Sequence, residues 1–428
     1  MASTQAAAPS ERSYIGPMMM IGVLFFIMGF FTWLNGPLTI FVKLAFSLDD
    51  VSAFLIPVAF YLSYFVLALP SAAILKRTGM KRGMALGLFV MAIGAVMFGE
   101  FINLRNYHGA LVGLFVIGAG LSLLQTSSNP YISILGPIDS AAQRIAFMGI
   151  CNKFAGFLAP LVFGALVLSG IDTLDQQVKA APTAAARDVL LNGFAARVYA
   201  PYMAMAAVLV VLAIWVVRSA LPEIKPAGAN DEHAIGHTGR SIFSFPHLWL
   251  GVLCLFVYVG VEVMAGDAIG IYGQNLGLPL DATKHFTAYT MFGMLLGYIV
   301  GLALIPRFVS QQRYLAVSAV LGVLLTLGTY LTTGYASVTF VAALGFANAM
   351  MWPAIFPLAI KGLGSHTEVG SAFLIMGIVG GALVPQVFVH LKEVINFQLA
   401  FLLVIVPCYL YILYYGLRGH RAGQRAAG

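Results

Sequence analysis

Twelve segments of the chain are long and apolar enough to cross a lipid bilayer, and they limit what it can fold into. The 428-residue chain is 60% hydrophobic and only 9% charged, whereas soluble domains average about 25% charged residues. A membrane-spanning helix needs about 20 mainly apolar residues and satisfies its own backbone hydrogen bonds. The sequence therefore predicts an all-α membrane protein. We number the spans 1 to 12: roughly 17–44, 52–75, 83–104, 109–135, 143–169, 200–220, 247–273, 286–305, 314–332, 335–360, 369–390 and 398–417.

The polar stretch 221–244 divides the spans six and six, giving halves at 1–220 and 245–428 around a cytoplasmic linker. The halves resemble each other in three places that occur in the same order. The pairs are LKRTGMKRG (75–83) with PRFVSQQR (306–313), NPYISILG (129–136) with WPAIFPLA (352–359), and FMGICNKFAGFLAPLV (147–162) with LIMGIVGGALVPQV (374–387). Two parallel six-span halves predict the major facilitator fold, with a substrate site between them near the midplane of the membrane.

Lysine and arginine placement predicts that both termini are cytoplasmic. With that orientation the short outer loops hold only Arg105, Lys284 and Lys392, as the positive-inside rule requires. The basic residues lie in separate short loops and not on one patch, which argues against nucleic acid as a partner. The three cysteines lie inside apolar segments and predict no disulfide framework. We expect a monomer in a bacterial inner membrane whose first span is retained.

Polar residues follow one face of span 4 and continue into span 5. Ser122, Gln125, Asn129 and Ser133 are spaced by three, four and four residues, so they lie one above another on a helix. A loop with Asp139 leads to span 5, which contains Asn152 and Lys153. Because polar groups are costly in lipid, we expect these residues to line a water-filled solute pathway.

Polar and aromatic residues in three other spans extend the predicted pathway. Span 1 carries Asn35 beside Pro37, span 10 carries Asn348 and Trp352, and span 11 carries Gln386. Amides bind hydroxyl-rich ligands, and the indoles of Trp33 and Trp352 suit the apolar face of a sugar ring. The alternative is that the small polar residues hold helices together and that the tryptophans serve as packing or interface anchors.

One deep cation and two deep anions occur in opposite halves. Lys153 lies about 15 Å into span 5 at 1.5 Å per residue, and Glu262 and Asp267 both lie in span 7. We expect Lys153 to pair with one of these acids, Glu262 being the better match in depth, and the pair to couple transport to an ion. The alternatives are a static salt bridge and a lysine bound to Gln125 and Asn129. Both acids share a face only if span 7 is broken.

The segments QTSSNPYISILGP (125–137) and MGICNKFAG (148–156), with YVGVEV (258–263), PAIFPLAIKGLG (353–364) and GSAFLIMGIVGGALVPQ (370–386), resemble the fucose–proton symporter family of the major facilitator superfamily. YVGVEV is similar to the glucose/galactose branch. The resemblance implies a sugar transporter. At two positions where the family has acidic residues, this chain has Gly36 and Gln125, which cannot carry a proton. Where the family has a Gln–Asn pair, this chain has Gly149 and Asn152, so only the asparagine is retained.

These observations predict a secondary transporter for a neutral monosaccharide, glucose or galactose first and fucose next, with H⁺ as the preferred coupling ion. A facilitative or Na⁺-coupled sugar carrier and a drug or lipid exporter are the alternatives. We find no P-loop, HExxH motif, paired CxxC or other catalytic constellation, and we expect neither enzymatic activity nor a cofactor. The predicted substrate-binding residues are Asn35, Gln125, Asn129, Asn152, Glu262, Asn348, Trp352 and Gln386, and the predicted coupling residues are Lys153, Glu262 and Asp267.

Overall fold

The computed structural model describes residues 12–134, 141–223 and 241–423, which form helices and short connecting loops with no strand among them. Twelve helical segments are long and apolar enough to cross a membrane, which confirms the predicted spans. Asp139 and the side chain of Ser133 lie outside the described residues. The division into two halves around 221–244 stays a prediction.

The helices of the first half are Arg12–Thr32 and Asn35–Ala45 (span 1), Asp50–Ala53 and Leu55–Thr78 (span 2), Met80–Asn103 (span 3), Tyr107–Ile134 (span 4), Ala141–Leu166 (span 5) and Tyr199–Arg218 (span 6). Two further helices, Ile171–Ala180 and Ala184–Ala196, lie between spans 5 and 6. The helices of the second half are Pro246–Gly266 and Ile269–Asn275 (span 7), Phe286–Leu304 (span 8), Gln311–Leu331 (span 9), Gly334–Asn348 and Met351–Ile360 (span 10), Thr367–Met376 and Gly380–Leu391 (span 11) and Phe397–Leu417 (span 12).

Spans 1 and 7 hold corresponding places in the two halves, and both are broken. Span 1 breaks at Trp33–Leu34, where Pro37 has no N–H to offer the carbonyl of Trp33. Span 7 breaks at Asp267–Ala268, as its two acids require if they are to face the same way. A matched pair of interrupted spans marks the substrate region of many transporters.

Threonine hydroxyls of span 8 satisfy the backbone at the break in span 7. Thr290 donates to the carbonyl of Ala265 at 2.7 Å, and Thr287 donates to the carbonyl of Gly266 at 2.8 Å. Carbonyls at a helix end have no partner within the helix, and in a membrane protein they must be satisfied by neighbouring groups. The sequence therefore supplies both the break and the donors that stabilise it.

A polar cluster joins the halves at one end of the bundle, which we call the Lys43 end. The Asp50 carboxylate pairs with Lys43 of its own half at 2.5 Å and with Lys392 of the other half. Lys43 also donates to Gln274, and Lys392 donates to Asn275, both at 3.3 Å. The halves are thus latched together at the Lys43 end.

A second connection lies nearby, outside the spans. The Asp172 carboxylate accepts the backbone N–H groups of Leu280 and Asp281 at 2.8 and 3.2 Å, and Lys284 donates to the carbonyl of Leu168 at 3.3 Å. These contacts add backbone hydrogen bonds to the ionic latch. The opposite end of the bundle, which holds the start of span 5, we call the Arg144 end.

Candidate functional site

A cavity of about 130 Å³ lies between the two halves, beginning at Trp33 at the break in span 1 and extending toward the Arg144 end. Its volume is below the roughly 300–1,000 Å³ of pockets for drug-sized ligands, so it suits a small solute. Six of the residues predicted from the sequence line it together: Gln125, Asn129, Asn152, Lys153, Glu262 and Trp352.

An ion pair crosses the cavity from one half to the other. Lys153 Nζ lies 2.8 Å from Glu262 Oε1, and the hydroxyl of Tyr258 donates to the same oxygen at 2.8 Å. Lys153 and Glu262 are only 7% and 8% exposed. A buried charge is tolerated when it is paired and hydrogen-bonded, so the predicted pairing of Lys153 with Glu262 is confirmed as geometry. Its role in coupling stays a prediction.

Trp33, at the break in span 1, packs against the Lys153 side of this ion pair. The Lys153 ammonium lies 4.5 Å from the centroid of the Trp33 ring, within cation–π range. The ring fits between two glycines: a Cβ at Gly156 would lie 2.9 Å from Trp33 Cγ, and one at Gly266 would lie 2.5 Å from Cζ3. Larger residues at these two places would displace the indole from the ion pair.

Tyrosines form a wall of the cavity that the sequence reasoning missed: Tyr61, Tyr64, Tyr258 and Tyr298. Tyr258 is four residues before Glu262, so helical spacing could have placed it on the same face as a predicted site residue. Tyr61 and Tyr64 are three residues apart and so share a face of span 2, but nothing in their spacing points to the cavity. The Tyr298 ring also explains Gly149, since a Cβ there would lie 2.5 Å from Tyr298 Cε1. Space that a glutamine would need at position 149 is thus filled from span 8.

Three predicted binding residues lie outside the cavity lining. Asn35 is buried in helix packing at 1% exposure. Asn348 is buried as well, and its Oδ1 accepts the hydroxyl of Tyr409 at 2.8 Å. Gln386 follows the irregular middle of span 11, and its backbone carbonyl lies 2.8 Å from His390 Nδ1. In this conformation Asn35 and Asn348 lie in helix packing, the alternative that the sequence left open.

Asn152 both lines the cavity and links two spans. Its side chain lines the cavity, and its Nδ2 donates to the carbonyl of Phe25 at 3.3 Å, which ties span 5 to span 1. Gln125 and Asn129 lie one turn apart on span 4, as their spacing predicts, and both line the cavity. Amide groups of one half therefore face the Glu262 carboxylate of the other across a small volume.

Asp267 lies outside the cavity lining, on the Lys43 side of the Lys153–Glu262 pair. It is 1% exposed, and its Oδ2 accepts the hydroxyl of Tyr61 at 3.2 Å. Its Oδ1 has no hydrogen-bond partner among the described residues. The two acids of span 7 thus differ: Glu262 has a cation, whereas Asp267 is joined to the first half by a neutral hydroxyl.

The described residues form twelve spans with matched broken helices and a polar cavity, a combination typical of secondary transporters. The chain matches the model of the Major Facilitator Superfamily over residues 20–385. It is 35% identical over 417 residues to a Brucella abortus protein named glucose/galactose transporter, with 96% of each chain covered. It is 30% identical over 390 residues to the L-fucose-proton symporter of Escherichia coli K12, covering 89% of this chain and 87% of the symporter.

Among solved structures, the chain is similar to the transporter FucP in its outward conformation, with a TM-score of 0.75, 28% sequence identity and coverage of 95% of this chain and 99% of that one. The chain therefore belongs to the Major Facilitator Superfamily, within the group that includes the glucose/galactose transporter and the L-fucose-proton symporter. These relatives are named as transporters or symporters, in agreement with the prediction that the chain is not an enzyme.

Proposed function

We propose that this protein carries a neutral monosaccharide, glucose or galactose first and fucose next, across the bacterial inner membrane by alternating access together with a proton. Support for the sugar comes from relatives that are named as glucose/galactose and L-fucose transporters. The cavity supports the same class of substrate, because it is small and combines amides with aromatic rings.

The observation that carries the proposal is the Lys153–Glu262 pair, set in a cavity lined by Gln125, Asn129 and Trp352. Amides and a carboxylate hydrogen-bond to hydroxyl groups, and an indole packs on the apolar face of a sugar ring. A sugar hydroxyl that donates to the Glu262 carboxylate either replaces Lys153 at Oε1 or binds the other oxygen, and in both cases it weakens the pull of the carboxylate on Lys153. Substrate binding is thereby linked to the contact that joins the two halves.

Alternating access is supported by the uneven contacts between the halves. The latch of Asp50 with Lys43 and Lys392 closes the Lys43 end, while the cavity extends toward the Arg144 end. With both termini cytoplasmic, as the distribution of lysine and arginine predicts, the Lys43 end faces outward. This structure then corresponds to an outward-sealed state, complementary to the outward conformation of FucP.

Proton coupling requires a group that gains and loses a proton during the cycle. Gly36 and Gln125 stand where the family resemblance places acids, so neither can do this. Apart from the tyrosines, whose hydroxyls stay protonated at neutral pH, the titratable groups buried at the cavity or next to it among the described residues include Lys153, Glu262 and Asp267, and we assign coupling to these three.

The test is uptake of labelled D-glucose into proteoliposomes with and without an inward proton gradient, with Na⁺ on both sides. An inward gradient of one pH unit is worth about 1.4 kcal/mol and sustains about tenfold accumulation at one proton per sugar. The proposal expects accumulation above equilibrium only with the gradient.

Equal uptake to equilibrium with and without the gradient would contradict proton symport and indicate a facilitative carrier. Accumulation that follows an imposed Na⁺ gradient would indicate a Na⁺-coupled one. Stabilisation of the detergent-solubilised protein by hydrophobic cations and not by hexoses would favour export of drugs or lipids.

A further inference from the structure

Asp267 is buried in a different way from the other charged groups between the halves. Lys153 and Glu262 have each other at 2.8 Å, and Asp50 has two lysines. Among the described residues Asp267 pairs with no cation, and its Oδ1 has no hydrogen-bond partner. Burying an unpaired carboxylate is very costly, whereas the neutral acid costs far less. The conformation in which the Lys43 end is closed therefore favours the protonated form of Asp267 over the carboxylate.

Span 1 covers Asp267 from the first half. A Cβ at Gly36 would lie 3.2 Å from Asp267 Cα and 3.3 Å from the Gly266 carbonyl oxygen, and it would also collide with Thr287. A side chain at position 36 would therefore require Thr287 to move and the two broken spans to separate slightly. The carboxyl group at this contact comes from span 7 and not from position 36 of span 1.

Tyr61 connects Asp267 to the cavity. Its hydroxyl donates to Asp267 Oδ2 at 3.2 Å, and the same side chain lines the cavity. A Cβ at Gly381 of span 11 would lie 3.1 Å from the Tyr61 ring, so the ring is held across the boundary between the halves. The groups that act on Asp267 are the hydroxyl of Tyr61, the backbone N–H of Gly36, and the charges of Glu262 and Lys153, and these two charges are already paired with each other.

We propose that Asp267 is the proton carrier of the transport cycle, loaded at the Lys43 end and discharged past Tyr61 into the cavity. When spans 1 and 7 separate at the Lys43 end, Asp267 loses the cover of Gly36 and meets the outer solution. Its carboxylate takes a proton from hydronium, which forms the O–H bond and leaves water. After the Lys43 end has closed, that O–H bond breaks and a cavity water accepts the proton. The buried carboxylate that remains is unfavourable while span 1 covers it, so loss of the proton favours reopening of the Lys43 end and return of the carrier.

This assignment divides the work between the two acids of span 7. Glu262 keeps its ion pair with Lys153 and responds to the sugar, whereas Asp267 gains and loses the proton. The inference rests on the proposed sugar–proton symport and adds which residue carries the proton. A proton carrier can be distinguished from a residue with a purely structural role. Loss of a structural residue would impair both sugar exchange and gradient-driven accumulation, whereas loss of the proton carrier would impair accumulation alone.

The test compares two modes of transport in proteoliposomes containing wild-type protein, the Asp267→Asn variant and the Asp188→Asn control. Asp188 lies outside the spans and pairs with Arg105 at the surface. Asparagine has the shape of a protonated aspartate but cannot release a proton. We expect Asp267→Asn to exchange labelled for unlabelled sugar at the wild-type rate, while gradient-driven accumulation falls from about tenfold at one pH unit to none. Asp188→Asn should match the wild type in both modes.

Accumulation by Asp267→Asn at the wild-type level would overturn the inference, and so would equal loss of exchange and accumulation in a variant that still folds and binds hexose. If Asp267→Asn does not fold, Tyr61→Phe decides: gradient-driven accumulation should fall by a larger factor than exchange, and an equal change in the two modes would contradict the route past Tyr61. A wild-type protein that exchanges no hexose would refute the proposed function instead.

Discussion

Removing one member of the Lys153–Glu262 pair should destabilise the protein more than removing both charges. Lys153→Ala leaves a carboxylate that is 8% exposed and retains the hydrogen bond from the hydroxyl of Tyr258 but no cation, and breaking a buried ion pair costs about 3–5 kcal/mol. Loss of the contact with Trp33 adds about 0.5–2 kcal/mol. Glu262→Gln leaves Lys153 without its carboxylate in the same surroundings, and we expect a comparable loss.

The double variant Lys153→Met/Glu262→Gln leaves no uncompensated charge at this place, so its loss of stability should be smaller than that of either single variant. The assay is thermal unfolding in detergent, in which each kcal/mol lowers Tm by about 2–4 °C for 150–250 residues and by less in longer chains. Lys179→Ala is the control, since its pair with Asp175 is exposed and worth about 0–1 kcal/mol. Single variants that behave like Lys179→Ala, or a double variant that loses as much stability as either single variant, would refute this reasoning.

Two further predictions concern the latch and the cavity. Lys392→Ala removes one of the two cations beside Asp50, whose side chain is 11% exposed. Breaking a buried pair costs about 3–5 kcal/mol; because Lys43 still pairs with Asp50, we expect a smaller loss of at least about 1 kcal/mol, which raises opening of the Lys43 end at least about fivefold. Hydrogen exchange at residues 269–275 should quicken accordingly, and rates equal to those of Lys179→Ala would contradict the latch. Gln125→Ala removes one amide from the cavity and should raise the KM for sugar up to about tenfold, the equivalent of about 0.5–1.5 kcal/mol per hydrogen bond. Thr126→Ala, whose hydroxyl is bound to the carbonyl of Ser122 within the helix, should leave KM unchanged, and equal effects of the two substitutions would argue against Gln125 as a sugar ligand.

Hydropathy predicted the twelve spans because each span meets the same simple requirement of length and apolar character. The break in span 1 followed from Pro37, and the break in span 7 was required for both of its acids to face the first half. The pairing of Lys153 with Glu262 was predictable because few charged residues lie so deep, and equal depth left few combinations.

Other features depended on which helix faces which. Helical spacing gives the face on which Asn348 lies but not its neighbour, and that neighbour is Tyr409. Asp50 and Lys392 are 342 residues apart near span ends, where composition gives no sign of pairing. The departure at Gly149 was visible in the sequence, but its reason, the ring of Tyr298 from the other half, requires the packed structure.

Sugar and proton move together in the proposed cycle, and the sharpest test of this is the pH inside proteoliposomes when sugar alone is added. No proton gradient is imposed, a pH-sensitive dye is trapped in the lumen, and an inward gradient of D-glucose supplies the driving force. We predict that the lumen acidifies as the sugar enters, and that Asp267→Asn admits no protons. Sugar entry by the wild type without any change in luminal pH would contradict proton symport.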